Sequence, residues 1–432
     1  EMTTATLAGL VLIGGFVLLL LLRVPISFAM LLATLGSALV TGTNFSVLVR
    51  QMVDGANNFS LLSIPFFIVM GEFMSAGGIS EKIVDLANLA VGRFRGGLAY
   101  VNVLASMVFA GISGSAAADA AGLGKIEMQA MKDDGFDESF AAAITAASSV
   151  IGPIIPPSII MILYATEANV NVSDMFKAGI IPGILVGLML MAACKFMFMR
   201  GEKAPPATKF SWKRLGVSLK DGVLAIIAPA IILMGMFSGS FSPTEAGIVA
   251  VVYSTVVGMI YKELKLKDIP RIIKESAIAA AQVMFMTSAA SLLSWTLTFT
   301  KIPLTISKGI LSFTDSRALF MLIVVVFLLI LGCFIESMAG LLIVMPVMIP
   351  IATVLGIDLV HFGIVCCLSM MIGAVTPPMG ACVFIVCSIS ETRFDLVCKK
   401  LWPFLISLVV ALLLVAYVEP ISTLLPHLLT KG

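Results

Sequence analysis

Two stretches of the sequence combine Pro, Gly and hydroxyl residues in a way that regular helix does not accommodate. Ser148-Ser-Val-Ile-Gly-Pro-Ile-Ile-Pro-Pro-Ser158 carries three prolines and a glycine, and Met370-Met-Ile-Gly-Ala-Val-Thr-Pro-Pro-Met379 carries two prolines and a glycine. Proline lacks the N–H and displaces the carbonyl one turn earlier, so C=O groups near Gly152 and Ile155, and near Gly373 and Thr376, lose their helical donors. In a low-dielectric interior such carbonyls need a cation or a polar partner. Two short runs, Gly111-Ile-Ser-Gly-Ser115 and Gly332-Cys-Phe-Ile-Glu-Ser337, supply further carbonyls and hydroxyls with little bulk. Set opposite the breaks, they form an oxygen-lined cage suited to a hard monovalent cation such as sodium. The positive ends of the half-helices beyond the breaks, with the hydroxyls of Ser113, Ser115 and Ser337, suit an anionic group on a substrate. The structural alternative is that each Pro-Pro pair only kinks its helix.

The elements that position these motifs are spans of a bilayer. Of 432 residues 59% are apolar and 12% charged, where a soluble globular protein carries roughly 25% charged. The mean hydropathy of +1.10 requires lipid to solvate much of the surface. Charge-poor runs at 3–22, 24–41, 59–90, 139–165, 177–199, 222–240, 243–261, 275–300, 361–390 and 401–425 read as ten spans. The segments at about 98–128 and 318–350 hold the two short Gly/Ser runs and read as re-entrant hairpins. With that topology, 19 Lys and Arg fall on one face, among them Arg93, Arg95 and Arg200, and six on the other. By the positive-inside rule the richer face is cytoplasmic and both termini lie outside.

The halves repeat. Gly111, Ile151-Gly152 and Pro156-Pro157 recur as Gly332, Ile372-Gly373 and Pro377-Pro378 at one offset of 221 residues. Ser60-Leu-Leu-Ser63 recurs as Ser291-Leu-Leu-Ser294 at an offset of 231. This divides the chain into a first repeat over 1–200, with its hairpin and the broken helix at 139–165, a polar linker over 201–221, and a second repeat over 222–432, with its hairpin and the broken helix at 361–390. Five crossings per half invert the second copy, an arrangement of secondary transporters with the site at the repeat interface. In the linker, Phe210, Trp212 and Leu215 among basic neighbours suggest an amphipathic surface segment.

Four carboxylates interrupt apolar segments, where a charge is costly unless paired or hydrated. Glu336, at the second hairpin, is the strongest candidate for a functional carboxylate. Glu72 and Asp119 suit proton coupling or structural hydrogen bonding equally. Glu245, in Ser242-Pro-Thr-Glu-Ala246, fits a helix-start role better. Seven Cys without a C-x-x-C pair and only two His, His361 and His427, argue against zinc or a disulfide framework. Neither G-x-S-x-G nor H-E-x-x-H occurs, so an intramembrane enzyme is not expected. Thr3 to Leu22 lacks a basic stretch before it and a cleavage site after it, and reads as a retained span.

Arg23-Val-Pro-Ile26, Ile64-Pro-Phe-Phe67 with Gly71-Glu72, Ser113-Gly-Ser-Ala-Ala-Ala-Asp119, Ile151-Gly-Pro-Ile-Ile-Pro-Pro-Ser158, Pro243-Thr-Glu-Ala246 and Gly373-Ala-Val-Thr-Pro-Pro378 together resemble the large membrane subunit of TRAP (tripartite ATP-independent periplasmic) transporters, over essentially the whole chain. The resemblance implies an all-α, elevator-type inner-membrane carrier and sodium-driven uptake of a small organic anion. It also implies a periplasmic substrate-binding protein and a small four-helix membrane subunit, expected here as a separate chain. By residue, it implies one sodium site at Ser63, Gly111, Ser113, Gly152 and Ile155, and a second at Gly332, Gly373, Thr376 and Met379. The substrate is expected between them, against Ser115, Pro156, Pro157, Ser337, Pro377 and Pro378. No cofactor beyond the coupling ions is implied. An ion antiporter or a stand-alone sodium- or proton-coupled symporter of related fold is the alternative.

Overall fold

A computed structural model describes residues 4–206, 212–313 and 316–430, and it is helical with no strand among those residues. Seven of its helices are long and apolar enough to cross a bilayer, the longest being Ile269–Phe299 with 31 residues and Val172–Met199 with 28. At 1.5 Å per residue these two reach about 46 and 42 Å, more than a hydrocarbon core of about 30 Å. The other apolar helices are shorter, and they include the halves of the two broken helices: Glu138–Ile151, Ile159–Ala168, Leu359–Gly373 and Ala381–Ser390.

The first hairpin rises as Gly97–Ser113, turns at Gly114, and returns as Ala116–Ala121 and Leu123–Asp133. Gly114 takes φ +57°, a left-handed conformation that glycine adopts without a Cβ penalty, and it ends the rising arm sharply. The second hairpin rises as Arg317–Phe334, turns at Ile335 and Glu336, and returns as Ser337–Val354. Each return arm is capped by a side chain of the tip. Ser115 accepts from the Ala118 N–H at 3.5 Å, and the Glu336 carboxylate accepts from the Ala339 N–H at 3.0 Å.

The span read at 59–90 is not one rod. A 3-10 turn, Phe59–Leu62, leads into Ser63–Ala76, and Gly78 at φ +71° separates that helix from Ile79–Val91. Two helices outside the ten spans, Phe45–Ala56 and Ile302–Phe313, are amphipathic, so their charges hide them from a hydropathy window. The C-terminal span begins earlier than expected, as Phe394–Tyr417, and is followed by Pro420–Thr430. Of the linker, Phe210 lies outside the described residues, and only the backbone of Trp212 and Leu215 is described, at the start of Trp212–Phe237.

One large core joins both halves, running from Leu12 and Met30 through Phe140 and Tyr164 to Phe362 and Phe404. The broken helices lie at its centre. Residues Phe140 to Val150 and Phe362 to Gly373 are buried without exception, whereas the single helices around them leave large apolar side chains on their outer faces, such as Leu188 and Val252. That contrast is the one expected where lipid solvates the periphery and protein solvates the irregular backbone.

Candidate functional site

Both breaks fall where the prolines place them. Helix Glu138–Ser148 passes through a 3-10 turn, Ser149–Ile151, and helix resumes only at Ile159. Ser158 starts the new helix: its hydroxyl accepts from the Met161 N–H at 3.3 Å and donates to the Pro153 carbonyl at 2.6 Å. In the second break helix stops at Gly373 and resumes at Ala381. Pro156–Pro157 and Pro377–Pro378 are both cis.

The hairpin tips sit on the breaks. A Cβ built on Gly114 would lie 2.8 Å from the Pro157 carbonyl oxygen, and one on Gly111 3.5 Å from that of Pro156. Gly332 and Gly373 meet backbone to backbone: a Cβ on Gly373 would lie 2.7 Å from the Gly332 Cα. The outer helix Val172–Met199 seats the first break in the same manner. Gly179 and Gly183, four residues apart and so on one face, admit the Ile154 carbonyl and the Ile155 side chain to within 2.3 Å of where a Cβ would stand.

The half-helices pair crosswise. Glu138–Ser148 packs on Ala381–Ser390, and Ile159–Ala168 packs on Leu359–Gly373. The first part of each rod thus meets the second part of the other, which is the pairing of rods running antiparallel. Each resumed helix also packs on the return arm of the other half's hairpin. Tyr164 ties the crossing with a 2.7 Å bond from its hydroxyl to the Leu359 carbonyl.

At the centre of this crossing lies a cavity of about 160 Å³. Gly114 and Ser115 enter it from the first tip, Glu336 and Ser337 from the second, and Pro153, Ala374 and Met379 from the breaks. Glu336 is exposed toward it, and Ser337 is buried with its hydroxyl on the Met370 carbonyl at 3.4 Å. Behind the first tip, a Cβ on Gly152 would stand 3.2 Å from the Ser149 oxygen, 3.4 Å from the Ser115 oxygen and 3.6 Å from the Asp119 Cβ. Asp119 is 2% exposed, and neither of its carboxylate oxygens has a hydrogen-bond partner among the described residues. The Ser149 and Ser115 carbonyls, which accept the Gly152 and Asp119 N–H groups, thus stand beside Gly152 together with the Asp119 side chain, and oxygen groups of this kind are the donor set a hard cation takes.

The remaining expected residues are distributed more widely. Ser113 donates to the Ser115 carbonyl at 3.5 Å, within the first tip. Ser63 is buried, but its hydroxyl donates to the Ser60 carbonyl at 2.6 Å, and the close approach of its helix to the first tip is made two turns later, by Gly71 against the Ile112 carbonyl. The Gly373 carbonyl accepts from the Thr376 N–H at 2.9 Å, so it is not left without a donor. Thr376, whose hydroxyl turns back to Ile372, lines a lateral apolar groove with Pro377, Pro378 and Trp402 instead of the central cavity. Glu72 is exposed, so the expectation of a buried carboxylate does not hold there. Glu245 completes a capping box with Ser242, accepting from its N–H and its hydroxyl at 2.8 Å each.

A buried polar network outside the expected residues joins the rising arm of the first hairpin to helix Glu138–Ser148. Asn102 donates to Thr145 at 2.8 Å and accepts from Ser148 at 2.7 Å, and Ser106 lies 3.2 Å from Ser148. A lone amide inside an otherwise apolar rising arm was the available signal. Cys382, which lines the cavity from the second half, also lies outside the expected residues.

A helical membrane protein whose two hairpin tips and two interrupted helices enclose one central cavity has the build of a transporter. The family model "Tripartite ATP-independent periplasmic transporter, DctM component" matches residues 13–421. The chain is 37% identical over 421 residues to the sialic acid TRAP transporter large permease protein SiaM of Vibrio cholerae, covering 96% of this chain and 98% of that one. It is equally 37% identical over 423 residues to the sialic acid TRAP transporter permease protein SiaT of Haemophilus influenzae, covering 96% of this chain and 67% of that one. Among solved structures, the Alcanivorax borkumensis YdaH transporter superposes with a TM-score of 0.65 at 14% identity, over 90% of this chain and 88% of that one, and so shares the fold. The chain belongs to the DctM component family of TRAP transporters, and it is a permease, not an enzyme.

Proposed function

We propose that this chain carries a small organic anion, a carboxylate or sulfonate, across the bacterial inner membrane on the energy of a sodium gradient. A periplasmic binding protein delivers the anion, and a small membrane subunit braces the permease. The observation that carries this reading is the cavity of about 160 Å³ that both tips and both breaks line. The oxygen groups around Gly152 hold one sodium ion and the carbonyls of the second break hold another. Their charge offsets that of the anion between them, which Ser115 and Ser337 contact. The crosswise pairing of the half-helices supports an inverted repeat, and the lipid-facing helices around the buried rods support an elevator motion of the rods and hairpins as one block. Both termini then lie in the periplasm. The relatives' names attach them to sialic acid, an organic acid, and "tripartite" and "large permease" support the two partner proteins.

The test is uptake into proteoliposomes holding the permease and its small subunit, with the binding protein outside loaded with its ligand. Accumulation under an inward sodium gradient, absent when potassium replaces sodium, supports the proposal. Equal uptake in both salts refutes it. Uptake without any binding protein favours the stand-alone symporter.

A further inference from the structure

Away from the central cavity, at the foot of the first hairpin, a groove of about 640 Å³ opens between the 92–96 loop and the end of helix Val172–Met199. Its walls are Val91, Phe94, Tyr100, Met191, Phe198 and Met199. Tyr100 stands edge-on to both Phe94 and Phe198, with ring centroids 6.3 and 6.1 Å away, so the walls are aromatic. Arg95 and Lys195 stand in the same lining. Arg93 and Arg200 flank it, stacked on Phe94 at 5.5 Å and on Phe196 at 4.5 Å. None of these four cations has a carboxylate within 4.0 Å among the described residues. Arg95 donates from Nε to the Ala204 carbonyl at 3.5 Å.

Four cations with no carboxylate partner among the described residues, around an apolar slot, describe a ligand with an anionic head and an apolar tail. The level of the groove in the membrane points the same way. Lys195 lies just over one turn before the end of a spanning helix, and Arg200 caps that end. Long basic side chains at that depth extend toward the headgroups while their stems cover apolar surface. The walls also lie at the protein surface, with Phe94 50% and Met199 77% exposed.

We infer that this groove is a binding site for an anionic phospholipid, with an acyl chain against Phe94, Tyr100 and Phe198 and the phosphate held by Arg95 and Lys195. The site shares no residue with the central cavity. Because its floor is the loop that starts the first hairpin, where the Gly96 N–H also binds the Pro205 carbonyl at 2.9 Å, the lipid joins the hairpin foot to the leaflet on the basic face. Basic pockets between membrane helices are a known setting for such headgroups.

The test is native mass spectrometry of the full chain in detergent, titrated with phosphatidylglycerol or phosphatidylcholine. The expected result is preferential retention of phosphatidylglycerol. Arg95→Gln with Lys195→Gln should weaken it by about tenfold or more, and Lys265→Gln with Lys267→Gln, outside the groove's lining, should not. Ala192→Trp, which fills the groove and keeps every charge, should weaken it as well. Equal retention of both lipids, an Arg95/Lys195 double variant that binds like the parent, or full displacement by inorganic phosphate overturns the assignment. So does loss of the lipid when the small membrane subunit is added, since the groove is then a protein interface.

Discussion

Replacing Gly373 by Ala adds one methyl group where the second hairpin meets the second break. That methyl would lie 2.7 Å from the Gly332 Cα and 2.8 Å from the Leu329 carbonyl oxygen, against about 3.5–4.0 Å for carbon atoms in ordinary contact. Both neighbours are backbone, so no side chain can rotate away. The hairpin must withdraw from the break by about 1 Å, at a cost of about 1–3 kcal/mol for overpacking of this kind. The core elsewhere is unaltered, so the variant folds. A displacement of about 1 Å in a preorganised site is enough to cost on the order of 100-fold in activity, so sodium-driven uptake in proteoliposomes should fall at least tenfold. Gly332→Ala, pressed on the Gly373 Cα at 3.0 Å and the Met370 oxygen at 2.8 Å, should behave alike. Gly14→Ala is the control, since nothing lies within 4 Å of its Cβ position. Parental uptake by Gly373→Ala, together with an unchanged melting temperature, would refute the reasoning.

Three further outcomes follow from the site. Asp119→Asn replaces a buried carboxylate whose oxygens have no hydrogen-bond partner within 3.5 Å among the described residues; thermal unfolding without sodium should show a chain as stable as the parent or more so, because a buried charge is costly, while sodium-dependent uptake falls. Glu336→Ala deletes the acceptor of the Ala339 N–H and should lower stability by about 1 kcal/mol, typical of a lost N-cap, whereas Glu336→Gln keeps an acceptor oxygen and should retain most of it; comparing the melting curves separates capping from charge. Ser242→Ala breaks the capping box with Glu245 at a similar cost of about 1 kcal/mol, and the apparent substrate affinity in the uptake assay should not change.

The breaks were legible because proline and glycine act through the backbone, and no packing can restore a missing N–H at Pro156 or Pro377. The tips were legible for a related reason: Gly111, Ser113 and Ser115 in an apolar run have no use in a lipid-facing helix. Direction was harder to read. Thr376, Pro377 and Pro378 share a motif with Met379, yet the turn sends them to the lateral groove and Met379 to the cavity, a choice made by backbone geometry that residue type does not record. Ser63 was placed by resemblance, while its hydroxyl is used locally on Ser60. Phe45–Ala56 escaped notice because Arg50 and Asp54 lower the average that a hydropathy window measures, although they sit on one face of an amphipathic helix.

Occupancy of the oxygen-lined spaces between tips and breaks by sodium can be read from equilibrium sodium binding to the purified permease complex, followed as thermal stabilisation against choline at constant ionic strength. The expected result is a saturable rise, worth about 2.7 kcal/mol at sodium 100-fold above its dissociation constant, that potassium does not reproduce and that Gly373→Ala and Asp119→Asn each diminish. A flat response to sodium, or an equal one to potassium, would contradict it.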